Sequence, residues 1–194
     1  QPSAMTYGDA DQSLTYSSDS SLSVTLTSND TSICTIVSNK AHIVTTGTCS
    51  ITASQSGDTT YNAATSVTRT FTISGATALT PTFGSPTKTN GGYTVSVTNY
   101  DSNYTWSYSV SAGSVSAGSP SGSTVLLTVT GLSSAASATI TANTSRTGYN
   151  NGSGTVSGTA KTNQTISFTQ PSAMTYGDAD QSLTYSSDSS LSVT

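Results

Sequence analysis

Cys34 and Cys49 are the only cysteines, 15 positions apart. Each lies in a run that alternates apolar and hydroxyl side chains, so the pair suits a disulfide between two strands; buried free thiols and a shared metal are the alternatives. A zinc site needs about four ligands, and the sole histidine, His42, adds one. His42, beside Ile43 and Val44, is also the only imidazole available as a base for a Ser or Thr nucleophile. With 40 Ser and 39 Thr in the chain, a hydroxyl near His42 says nothing about catalysis. Asp9 and Asp11, following Tyr7-Gly8, offer clustered oxygens of the kind calcium takes, or else a turn capped by an aspartate. No glycine-rich loop has the phosphate-binding form, and Asn90-Gly91-Gly92 reads as a hairpin turn. The expectation is therefore no catalytic residue and no cofactor, with calcium at Asp9 and Asp11 the one ion site to weigh.

The elements that hold these residues are short strands. Of 194 residues 32% are apolar and 7% charged, a composition that argues against a coiled coil, a membrane span, a basic nucleic-acid binder and a charge-driven disordered tail. The first half predicts strands at 12–17, 21–28, 32–37, 41–46, 48–55 and 65–74, separated by Ser, Asn, Asp and Gly. Period-two alternation puts Cys49 and Ile51 on one face, and Val67, Phe71 and Ile73 on another, with Ser and Thr opposite. Arg69 shares the parity of Val67 and Phe71, so its stem covers apolar surface or its head pairs with Asp58. In the second half the core rows are Tyr93, Val95 and Val97; Tyr104, Trp106, Tyr108 and Val110; Val125, Leu127 and Val129; and Ala138, Ile140 and Ala142. Trp106 is the only tryptophan, placed where a buried ring packs between two sheets. Tyr16, Tyr100, Tyr104 and Tyr149 are the aromatics available for carbohydrate stacking, against core or corner roles.

Residues 170–194 repeat residues 1–25 letter for letter, a period of 169 residues. A repeat this long marks a window on a tandem array. It also lowers the effective charge: the chain's net of −4 counts three aspartates twice, and one period carries six Asp against five Lys+Arg. So neutral a surface steers neither DNA nor anionic lipid over distance. A period of this size fits two domains better than one sandwich. Boundaries are expected near residues 75–81 and 158–163, giving domains at 1–75 and 76–161, with 162–194 opening the next copy. The run Gln-Thr-Ile-Ser-Phe-Thr at 164–169 reads as an opening strand with Phe168 in its core, and the first domain is expected to lack that strand within this window.

The stretch QTISFTQPSAMTYGDADQSLTYSS, with SICT, GTCSITA, YNAA and a closing strand RTFTIS, resembles the bacterial immunoglobulin-like repeats of large secreted or surface proteins. The other half, with YTWSYSV, VTGLSSAASATITA and RTGYN, is similar to fibronectin type III-like modules. The resemblance implies an all-β array of tandem immunoglobulin-like and fibronectin III-like sandwiches, extracellular or on the cell surface. It implies a stalk or spacer whose partners are neighbouring identical repeats, and no catalysis. The second reading is an adhesin repeat that binds glycans or a host surface weakly and gains by number. A disulfide between Cys34 and Cys49 agrees with a place outside the cytosol.

Overall fold

Alternation of small hydroxyl and branched apolar side chains favours extended chain, because every second residue can be buried while its neighbours meet water. The computed structural model describes residues 2–189 and 191; the end of the expected 162–194 segment, at 190 and 192–194, lies outside the described residues. Among the described residues the chain is all-β, with no helix. Two compact units divide it. Unit 1 comprises Gln1–Thr82, Asp101–Ser107 and Ala142–Gly154, and unit 2 comprises Phe83–Tyr100, Tyr108–Thr141 and Thr155–Thr194.

Unit 1 begins with β1 (Met5–Thr6), β2 (Gln12–Ser13), β3 (Thr25–Ser28), β4 (Cys34–Val37), β5 (Lys40–Ile43), β6 (Gly47–Gln55) and β7 (Ala64–Ser74). They form one sheet in the order β1-β7-β6-β3 and another in the order β2-β5-β4. β1 runs parallel to β7, with Met5 opposite Ile73, while β6 and β7 form the long antiparallel pair. Residues of both sheets share one core: Met5, Cys49, Ile51, Phe71 and Ile73 from the first, Cys34 and Ala41 from the second. Two sheets closing on a common interior fit a β-sandwich. The β4–β5 hairpin turns through Ser38 and Asn39, both at positive φ (48° and 62°), the conformation that matches strand twist in a two-residue loop.

The second half supplies β8 (Thr87–Thr89), β9 (Gly92–Val97), β10 (Thr105–Val110), β11 (Ser114–Ala117), β12 (Val125–Thr130), β13 (Ser137–Ser145) and β14 (Gly152–Thr159). Their sheets run β11-β12-β9-β8 and β10-β13-β14. The expected turn at Asn90-Gly91 joins β8 to β9, with Thr89 opposite Gly92 and Gly91 at φ 67°. Val95, Val97, Leu127 and Ile140 are buried as the alternation requires. So is Tyr93, whose hydroxyl donates to the Ala138 carbonyl at 2.9 Å. Burial raises the Tyr93 phenol above its ordinary range, because the charged form loses water.

Four expected core residues stand differently. Tyr104, just before β10, and Trp106, Tyr108 and Val110 on it are half-buried, because β10 is an edge strand; the Tyr108 hydroxyl itself is buried. The Trp106 indole N–H donates to the Asp101 carbonyl at 3.0 Å. Phe168, also expected in a core, lies on β15 (Ile166–Phe168), which pairs with β16 (Tyr185–Ser187) in a two-stranded sheet, and is 57% exposed among the described residues.

Candidate functional site

Cys34 on β4 and Cys49 on β6 form a disulfide with Cα atoms 5.6 Å apart, so the covalent bond crosses from one sheet of unit 1 to the other. Both residues are fully buried. A loop of 15 residues closed in the unfolded chain stabilises by about 3 kcal/mol in the chain-entropy model.

The aspartates of the Tyr7-Gly8 turn take separate partners. Asp9 closes its own turn: Thr6 N–H donates to its carboxylate at 2.7 Å, and the Asp9 N–H donates to the Thr6 carbonyl at 2.9 Å. Gly8 sits at φ 94° to allow it. Asp11 instead faces His42 on β5, whose Nδ1 lies 2.8 Å from its carboxylate. That contact uses the imidazole which sequence alone offered as a base. Among the described residues no three of His, Cys, Asp or Glu gather as a metal-binding group.

Of the four tyrosines proposed for stacking, Tyr104 and Tyr149 come together, joined by Tyr7 and Arg146, which nothing in the sequence associates with them. Tyr104 and Tyr149 meet edge to face at 5.6 Å, and Tyr7 lies 6.1 Å from Tyr149. The Arg146 guanidinium sits over the Tyr149 ring at 4.5 Å and the Tyr104 ring at 5.5 Å. One face of the Tyr149 ring is therefore occupied by a cation, a pairing that itself stabilises. Asp101 lies below the ordinary carboxylate range, held there first by the backbone and side-chain amides of Asn103 and further by the charge of Arg146.

An open groove of about 500 Å³ lies in unit 1. Leu14, Leu26, Ile51, Ala53 and Val67 make its apolar floor, with Tyr16 and Arg69 at its sides. Val67 and Arg69 have the inward parity of β7, yet Val67 is 45% exposed and Arg69 is exposed too. Further along the same strand Phe71 and Ile73 are buried. The inner face of β7 is thus covered over one half of its length and bare over the other. Gln12 also lines this groove, its side-chain carbonyl buried without a hydrogen-bond partner among the described residues. The sequence held one signal of this, the core-side parity of Arg69, whose guanidinium meets no Asp58 and donates to the Thr68 carbonyl at 3.2 Å. The position of Tyr16 beside the groove carried no sequence signal.

On neighbouring strands the hydroxyls bond to one another. Thr52 and Thr68 meet at 2.8 Å across β6 and β7, and Thr139 and Ser157 at 2.7 Å across β13 and β14. Such cross-strand pairs tie a sheet without charge. No helix among the described residues is long and apolar enough to cross a membrane. No protein-family model matches the chain. No curated protein matches it either.

Proposed function

We propose that this chain spans one period, and the opening of the next, of a tandem array of immunoglobulin-like and fibronectin III-like β-sandwiches, serving as an extracellular spacer or stalk without catalysis. The observation that carries this reading is the recurrence of residues 1–25 at 170–194 without a single change. A module selected for distance and mechanical resistance is usefully copied unaltered, and its neighbours in the array are then its principal partners. The inter-sheet disulfide supports the same reading, since it resists separation of the two layers and belongs to an oxidising compartment. Hydroxyl pairs keep the surface soluble at near-neutral charge.

The test is single-molecule stretching of a polypeptide carrying several periods. Expected are two unfolding events per period, one of which lengthens on reduction. A glycan array run beside it distinguishes the adhesin alternative, for which specific retention of one glycan class is the required result.

A further inference from the structure

We propose that residues 5–7, 74–76 and 146–150 form a clasp that opens as one unit, with the Tyr7 ring as its catch. All three segments belong to unit 1. A boundary expected near 75–81 and built of small residues, Gly75-Ala76-Thr77-Ala78, is ordinarily a flexible linker. Here it is held from both sides. β1 lies parallel to the end of β7, with Met5 opposite Ile73 and Thr6 opposite Ser74, and the Tyr7 N–H continues this ladder to the Ser74 carbonyl at 2.8 Å. Two residues further on, Ala76 bridges Tyr149, again in parallel. The Ala76 N–H donates to the Gly148 carbonyl and the Asn150 N–H to the Ala76 carbonyl, each at 2.9 Å. The Asn150 side-chain amide adds a bond to the Gly75 carbonyl at 3.2 Å.

Side chains lock what the backbone joins. The Tyr7 ring packs so closely on Gly148 that a Cβ there would fall among its ring atoms. Its other neighbour is the Tyr149 ring, which lies under the Arg146 guanidinium. Gly148 therefore serves twice: its φ of 85° lets the chain turn between Arg146 and Tyr149, and its bare Cα leaves the notch that the ring enters. The bonds and the rings share residues. Withdrawing the ring uncovers Gly148, whose carbonyl is the acceptor for Ala76, so the loss of one contact exposes the next. Contacts that depend on one another in this way open together as a local unit. A boundary fastened like this transmits pull among its three segments where a free linker bends. The clasp goes beyond the spacer reading and does not depend on it.

Limited trypsin digestion and amide hydrogen exchange of the full chain test it. Arg146 lies in the clasp, while Lys88 and Lys161 are exposed in unit 2. Tyr7→Ala keeps every backbone bond and empties the notch. It is expected to raise cleavage after Arg146 about tenfold, because cleavage follows the population of the opened form, and to leave cleavage after Lys88 and Lys161 unchanged. Tyr7→Phe, which keeps the ring, should match the unaltered chain. In the unaltered chain the Ala76 and Asn150 amides are expected to show protection within about threefold of each other, as members of one opening unit, and Tyr7→Ala to lower both about tenfold. Cleavage after Arg146 that ignores Tyr7→Ala, or that rises equally after Lys88, overturns the proposal. So do Ala76 and Asn150 amides of widely different protection. Failure of the spacer reading appears in the stretching record and leaves these rates unaltered.

Discussion

At Cys34 and Cys49 the alternation of the sequence and the covalent structure coincide: each cysteine occupies an inward position, and the inward positions of β4 and β6 face one another across the core. Replacing both by Ala is expected to lower unfolding free energy by about 3 kcal/mol, read from denaturant titration; an unchanged midpoint would deny the bond its role. Tyr93 makes the corresponding polar link in unit 2. Tyr93→Phe is expected to cost about 1 kcal/mol through loss of the bond to the Ala138 carbonyl. Gly158 is what makes room for that ring, because a Cβ there would fall among the Tyr93 ring atoms. Gly158→Ala should therefore cost about 1–3 kcal/mol by overpacking, measured as a drop in denaturation midpoint. This position also explains why β14 is only faintly marked in the sequence. The buried positions of β14 are Gly152 and Gly158, and a glycine contributes no apolar side chain to a periodic pattern, so the alternation of this strand is weaker than that of its neighbours. The valines, leucines and isoleucines of β9, β12 and β13 left the opposite impression, and their inward faces were legible throughout.

Between elements, the repeated segment separates what local sequence decides from what packing decides. Both copies make the same turn: Thr6 with Asp9 around Gly8, and Thr175 with Asp178 around Gly177, each glycine at φ 94°. Their methionines part company, Met5 being 6% exposed and Met174 52%. Met5 is buried because β1 pairs with β7, a partner that no inspection of residues 1–25 alone reveals. Asp188 offers a pH test of the β15–β16 pairing. The Thr165 hydroxyl, then its backbone N–H, hold this carboxyl below the ordinary range. A depressed folded value means stabilisation that is present above the ordinary carboxylate range and lost as pH falls through the folded value. Carboxyl and amide NMR should therefore record Asp188 and the Thr165 N–H titrating together at unusually low pH. Thr165→Val, which keeps the amide but removes the hydroxyl, should move the Asp188 midpoint upward toward ordinary values; an unmoved midpoint would contradict the assignment of cause.

For the whole molecule, the composition made an all-β chain legible, and the recurrence at 169 residues made a periodic one legible; its division into units came from the contacts of distant segments. The Asp101–Ser107 and Ala142–Gly154 segments join unit 1, although they belong to the later half of the chain, and no periodicity encodes such a grouping. The central proposal is that the chain recurs as a tandem array of β-sandwich domains, two to a period, one of them locked by the Cys34–Cys49 bond. Stretching a multi-period polypeptide at constant speed, with and without reductant, addresses that claim most directly. Two unfolding events per period are expected, and reduction should lengthen one of them by about 5 nm as the 15-residue loop is released, at roughly 3.5 Å per residue. A single event per period, or two events that ignore the reductant, would contradict it.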